Sequence, residues 1–78
     1  MAKQTGIQNL DQLEFAVFCI ENIAVRHGVN AKLVYQALED SDILMGYIVS
    51  EYDMLHTQSK DYIVNDILAV MKARGVKL

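Results

Sequence analysis

The stretch from Ile23 to Leu38, IAVRHGVNAKLVYQAL, has the residue spacing of two helices joined by a tight turn. Ala24 supplies a small residue in the first helix, and Gly28 supplies the left-handed backbone conformation that ends many helices. Val29 and Val34 follow at the spacing that closes the angle between the two helices. The stretch therefore predicts a helix-turn-helix-like corner, and with it a fold built from α-helices.

Hydrophobic periodicity and capping residues predict four helices with short connections between them. The predicted helices cover residues 10–27, 31–39, 43–55 and 60–73. Their predicted N-caps are Asn9 or Asp11, Asn30, Ser41 or Asp42, and Ser59. Gly46 lies near the start of the third helix, where glycine costs about 1 kcal/mol relative to alanine and favours a kink or a late start. The fold class is therefore predicted to be all-α, a compact bundle of four helices that contains the corner.

The spacing of three and four residues also predicts which side chains are buried. In the first helix, these are Leu13, Ala16, Val17, Ile20, Ile23 and Ala24. In the second helix, they are Leu33, Val34, Ala37 and Leu38. Phe15 and Phe18 lie beside the stripe of the first helix, so this helix is apolar over more than half of its circumference and is predicted to be the central one. The single Cys19 is predicted to be a buried free thiol.

The length of 78 residues corresponds to one domain. Residues 1–8 show no periodicity and are predicted to be a flexible lead-in to a single helical domain over residues 9–78. A hydrophobic fraction of 53% is typical of an ordered globular chain. No apolar run approaches the roughly 20 residues needed to cross a bilayer, and the first residues lack the apolar centre of a secretion signal. The expected location is therefore the cytoplasm.

The charge distribution argues against nucleic acid as the main partner. The net charge is −3, and no lysine or arginine lies between Lys32 and Lys60. A DNA-binding helix-turn-helix would place Asn30, Lys32, Tyr35 and Gln36 of the second helix in the major groove. A DNA-binding protein that makes about 6 to 10 phosphate contacts would need nearly every cation in this chain. A DNA-binding transcription regulator is therefore kept as the alternative function.

The segment of residues 51–58 holds a carboxylate and a histidine at helical spacing. Asp53 and His56 are three residues apart, so one helical face could present both to a substrate or a metal ion. A metal site needs three or four ligands, and no second histidine or cysteine lies at a suitable spacing. No catalytic, cofactor-binding or metal site is therefore predicted, and the protein is expected not to be an enzyme.

A surface for a protein partner is predicted on the third helix and on the residues after it. The chain has four tyrosines, and tyrosine suits a half-buried interface. Met45 and Met54 lie in the same segment, and flexible methionines are common on binding surfaces. The predicted partner-binding residues are Tyr47, Glu51, Tyr52, Asp53, His56, Thr57 and Gln58. Homo-oligomer formation is left open.

Three segments carry a resemblance to a known family: EFAVFCIEN at residues 14–22, YDMLHTQ at 52–58 and DYIVNDI at 61–67. In this order, they resemble a family of small uncharacterised bacterial helical domains, in which LHTQ, here residues 55–58, is the most specific stretch. The resemblance implies a stand-alone helical protein, often encoded beside ADP-ribosyltransferase-like, toxin-like proteins, and it implies no catalytic residues. The resulting hypothesis is a non-enzymatic protein-interaction module, an antitoxin-like or accessory partner of such an enzyme.

Overall fold

The structure, a computed structural model, describes residues 10–78 and contains helices and no strand over that range. Its elements are α1 (Leu10–His27), α2 (Ala31–Asp40), a π-helical segment (Leu44–Val49), α3 (Tyr52–Leu55) and α4 (Lys60–Ala73). The predicted all-α class and the first, second and fourth helices are confirmed, whereas the predicted count of four helices is wrong, because the described residues form five helical elements. The predicted cap Asn9 and the predicted lead-in lie outside the described residues, and Asp11 lies inside the first turn of α1. No helix in the described range is both long and apolar enough to cross a membrane.

The corner between α1 and α2 is present at the predicted place. Gly28 has a φ of +65°. The amides of Gly28 and Val29 donate to the carbonyls of Val25 and Ala24 at 3.2 and 3.0 Å, which is the Schellman arrangement of a helix end. Asn30 then caps α2, because its side-chain oxygen accepts the amide of Lys32 at 2.7 Å. The glycine therefore satisfies the last carbonyls of α1 while it turns the chain.

The predicted third helix is wrong as one continuous α-helix, because the π-helical segment and α3 divide it. Asp42 has a φ of +64°, a conformation that short polar side chains tolerate. Its amide donates to the carbonyl of Glu39 at 3.1 Å, and the hydroxyl of Ser41 donates to the carbonyl of Ala37 at 2.8 Å. Ser41 and Asp42 therefore end α2 instead of capping the next helix. The carboxylate of Asp42 also occupies the space that a β-carbon on Gly46 would fill.

Helix α1 is the central helix, as predicted, and it packs against α2, α4 and the π-helical segment. Its buried residues are Phe15, Ala16, Cys19, Ile23 and Ala24. Burial raises the pKa of the Cys19 thiol to about 12, and the predicted buried free cysteine is confirmed. Isoleucines from the π-helical segment and α4, Ile48 and Ile67, are fully buried in the same core.

The predicted buried stripe of α1 is rotated relative to the observed one. Leu13 and Val17 are 44% and 43% exposed, whereas Phe15 and Cys19 face the core. Leu33 in α2 was also predicted to be buried and is 58% exposed. A helix with two apolar faces satisfies the same periodicity in two orientations, and its packing partners select the face that is buried.

Side-chain contacts of two arginines join α4 to the rest of the fold. Arg26 of α1 donates to the side chain of Asn65 at 2.8 Å and lies 3.8 Å from the carboxylate of Asp61. Arg74, after α4, donates to the carbonyl of Ser41 at 3.0 Å. The hydroxyl of Ser59 accepts the amide of Tyr62 at 3.2 Å, so the predicted cap of α4 is confirmed. Arg26 therefore links α4 to α1, and Arg74 links the end of α4 to the end of α2.

Candidate functional site

A groove opens between the first turns of α1 and the segment that runs from α3 into α4. It encloses about 320 Å³. Helix α1 supplies one side, and α3 with the turn after it supplies the other. The lining residues, which together define the aromatic groove, are Asp11, Glu14, Phe15, Phe18, Tyr52, His56, Gln58 and Ile63.

Four aromatic rings follow one another along the aromatic groove. The rings of Phe15 and Tyr52 meet edge to face, with centroids 5.4 Å apart and an interplanar angle of 78°. Phe18 lies 6.3 Å from Phe15 at 18°, and His56 stacks on Tyr52 at 4.3 Å and 5°. Such ring pairs contribute about 0.5–1.5 kcal/mol beyond the burial of their area. The contact between Phe15 and Tyr52 therefore joins the two sides of the groove, and the other two ring contacts each lie within one side.

Residues 55–58, LHTQ, form the turn that closes this side of the groove. The Nδ1 of His56 lies 2.7 Å from the carbonyl of Tyr52, and because a carbonyl only accepts, Nδ1 donates. In the neutral ring, Nε2 is then an acceptor. The hydroxyl of Thr57 donates to the carbonyl of Met54 at 2.9 Å, and the amide of Gln58 donates to the carbonyl of Leu55 at 3.0 Å. The motif therefore ends α3 and fixes the His56 ring against Tyr52.

The rim of the aromatic groove is acidic. Its charged lining residues, Asp11 and Glu14, are both carboxylates on α1. Desolvation of the Tyr52 ring, together with the negative charges of Asp11, Asp53 and Glu14, raises the pKa of Tyr52 above its ordinary value. The groove therefore combines aromatic walls with a negative electrostatic potential.

The structure divides the predicted partner-binding residues between two places. Tyr52, His56 and Gln58 line the aromatic groove. Tyr47, Glu51 and Gln58 line a smaller cavity of about 90 Å³, which Tyr62 and Asp66 of α4 complete. Asp53 and Thr57 line neither cavity. The His56 ring faces Tyr52, and no hydrogen bond or ion pair joins His56 to Asp53 in the described structure.

The smaller cavity contains a hydrogen bond between two elements of the fold. The hydroxyl of Tyr47 donates to the carboxylate of Asp66. This hydrogen bond, followed by desolvation and the nearby negative charges, raises the pKa of Tyr47 from 10.0 to about 12. The proton of Tyr47 therefore links the π-helical segment to α4 up to strongly alkaline pH.

We expect the free energy of unfolding of Tyr47→Phe to fall less steeply at alkaline pH than that of the wild-type chain. The folded pKa lies above the unfolded one, so the native state keeps a proton that the unfolded state loses between about pH 10 and pH 12. The stabilisation is complete below pH 10 and is lost as the pH rises toward 12. Urea unfolding between pH 10 and pH 12 measures how steeply the free energy of unfolding falls with pH. Tyr35→Phe, on the exposed face of α2, is the control. Equal slopes in the two variants would contradict the assignment.

The four residues of the DNA-binding alternative lie at the surface of the corner. The side chain of Asn30 caps α2, and the side-chain amide of Gln36 donates to the carboxylate of Asp40 at 3.0 Å. Lys32 and Tyr35 are exposed on α2. Two of the four side chains therefore already have polar partners within this part of the chain, and DNA binding stays a prediction.

Five of the eight residues that line the aromatic groove, four on α1 and Ile63 on α4, were missed by the sequence prediction. Asp11, Glu14, Phe15 and Phe18 recur at spacings of three and four, which was the available signal for a second functional face on α1. A further cavity of about 460 Å³ was also missed, and it lies between α1, α4 and the chain end. Its lining residues are His27, Leu68, Met71, Lys72, Gly75, Val76, Lys77 and Leu78. Within residues 10–78, no group of three or more candidate metal ligands comes together.

A family model described as "Protein of unknown function (DUF3791)" matches residues 14–74. The matched range contains α2, the π-helical segment, α3 and α4, together with most of α1. No curated protein and no solved structure matches the chain.

Proposed function

Because the chain belongs to the DUF3791 family, whose function is unknown, we propose from its surface that it is a non-enzymatic protein-interaction module. The partner binds in the aromatic groove and along the neighbouring face of α1. The observation that carries this proposal is the continuity of the acid-rimmed groove with exposed apolar side chains on the same helix.

The exposed apolar side chains form a stripe along α1. Leu10, Leu13 and Val17 are 65%, 44% and 43% exposed. Their spacing of three and four residues places them on one face of the helix, and Glu14 lies between this stripe and the groove. Contiguous exposed apolar side chains with a polar border are typical of protein interaction sites. The stripe and the groove together offer one contact surface.

The proposed partner is an ADP-ribosyltransferase-like protein, toward which this chain acts as an antitoxin-like or accessory subunit in the cytoplasm. The family resemblance supports this identity. The net charge of −3 supports it as well, because an acidic module suits the basic cleft of a nucleotide-binding enzyme and speeds its encounter with that enzyme. The alternative is a transcription regulator that binds DNA through α2, and its support is the exposure of Lys32 and Tyr35 beside the corner.

Site-specific photo-crosslinking in the native host tests the location of the contact. Gln58 at the groove and Gln36 on α2 are both exposed glutamines, so each is replaced separately with p-benzoyl-L-phenylalanine. We expect a discrete protein adduct from position 58 and none from position 36, because only the first lies against the proposed surface. A protein or DNA adduct from position 36 alone would contradict the proposal and favour the α2 face. No adduct from either position would also count against it.

A further inference from the structure

We propose that the aromatic groove binds an arginine side chain from a basic segment of the partner. This inference rests on the proposed function and adds the chemistry of the group that is recognised. It follows from the shape of the groove, the arrangement of its rings and the sign of its charges.

The partly buried rings of Phe18 and Tyr52 offer apolar surface to a planar cation. Phe15, which is 8% exposed, supports both from below, since its ring meets Tyr52 at 78° and lies at 18° to Phe18. The exposed ring of His56 covers one face of Tyr52 and extends the same surface. A guanidinium group is attracted to the face of an aromatic ring by the quadrupole of that ring. Because the guanidinium group is flat and weakly hydrated, it also stacks on rings more readily than a lysine ammonium does.

The carboxylates supply the acceptors that a guanidinium group needs. Asp11 and Glu14 are three residues apart on α1, so they lie on neighbouring positions of one helical face. Arginine presents five N–H donors in a planar fork that matches carboxylate oxygens. The Nε2 of His56 is a further acceptor in the neutral ring, because Nδ1 already donates to the carbonyl of Tyr52. The lining contains no lysine or arginine that would repel the cation.

The size of the groove fits a single long side chain. Small-molecule and cofactor sites usually enclose about 300–1,000 Å³. The aromatic groove, at about 320 Å³ and open to solvent along the helix, lies at the lower end of that range. The apolar stripe of Leu10, Leu13 and Val17 is then free to contact the residues that flank the arginine.

A peptide titration tests the proposed recognition directly. The probe is the blocked pentapeptide Gly-Ser-Arg-Ser-Gly, and its matched control carries citrulline, which has nearly the shape of arginine without the charge. Both are titrated into the full ¹⁵N-labelled chain while amide shifts are followed. We expect the arginine peptide to shift amides in the first two turns of α1 and in residues 52–58. A surface ion pair or cation–π contact strengthens binding by up to about fivefold, and the citrulline peptide loses contacts of both kinds. We therefore expect it to bind about fivefold more weakly.

A pair of charge variants tests the same recognition from the side of the protein. D11N/E14Q and E39Q/D40N raise the net charge equally, and all four residues are exposed. We expect D11N/E14Q to bind the arginine peptide about fivefold more weakly than the wild-type chain. E39Q/D40N should bind the peptide with nearly unchanged affinity.

Three results would overturn the inference. The first is equal affinity for the citrulline and arginine peptides, and the second is an equal loss of affinity for the arginine peptide in D11N/E14Q and E39Q/D40N. The third is the absence of amide shifts at millimolar arginine peptide. If an adduct still forms through position 58 while the arginine peptide fails, the arginine inference is wrong and the interaction proposal stands. If both the adduct and the peptide shifts are missing, both are wrong.

Discussion

Replacing Ile23 with alanine should lower the free energy of unfolding by about 2–5 kcal/mol. Ile23 is fully buried in the C-terminal half of α1, the helix that contacts α2, α4 and the π-helical segment. Truncation removes the transfer free energy of the lost methyl groups and leaves a cavity that surrounding helices fill only in part. A domain of this size has a total stability of only about 4–12 kcal/mol, so the expected loss is a large fraction of the whole.

Val25→Ala is the matched control for this prediction. Val25 lies two residues further along the same helix and is 80% exposed. Its truncation should change the free energy of unfolding by less than about 0.5 kcal/mol. Urea unfolding followed by circular dichroism measures both variants. Equal losses in the free energy of unfolding, or no loss for Ile23→Ala, would show that α1 does not bury the face that contains Ile23.

The parts of the fold that the sequence predicted are those decided by local interactions. The turn at Gly28 depends on a left-handed glycine and on carbonyls within one helical turn, all of which are close in the sequence. Asn30 and Ser59 cap helices through amides two and three residues away. Such interactions depend on residue type and spacing, so the bounds of α1, α2 and α4 could be predicted closely.

The parts that could not be predicted are a local departure from the α-helix after Asp42 and the orientation of α1, which depends on contacts between distant segments. Asp42 adopts a left-handed conformation while its carboxylate lies over Gly46, and nothing in the spacing of residues 41–55 distinguishes the resulting π-helical segment from an ordinary helix. The rotation of α1, which exposes Leu13 and Val17, is decided by the elements that pack on it.

The candidate site was predicted in part for the same reason. Tyr52, His56 and Gln58 lie in one short segment, and their clustering is visible in the sequence. Across the groove, Phe15 and Phe18 are more than 30 residues away in the chain, and Phe15 meets Tyr52 only in the folded protein. A sequence pattern could therefore indicate one wall of the groove and could not indicate the other.

Tyr52→Ala should weaken binding of the partner by at least about tenfold, because buried aromatic anchors at the centre of an interface typically contribute 2 kcal/mol or more. The Tyr52 ring joins the two sides of the groove, since it contacts Phe15 edge to face and carries the stacked His56 ring. Its removal takes away both an aromatic wall and the support for His56. His56→Ala, which removes an exposed ring and leaves the contact of Tyr52 with Phe15, should weaken binding to a smaller extent.

The central claim is that the aromatic groove is the contact surface, and one affinity comparison tests it most directly. The partner protein identified by cross-linking at position 58 is purified in its free form. Calorimetry then measures its affinity for the wild-type chain, for Tyr52→Ala and for Tyr35→Ala. Thermal unfolding of each variant confirms that it is folded at the temperature of the titration. We expect a loss of affinity of at least about tenfold for Tyr52→Ala and unchanged affinity for Tyr35→Ala, whose ring lies on the exposed face of α2. Unchanged affinity for a folded Tyr52→Ala, or a larger loss for Tyr35→Ala, would contradict the central claim.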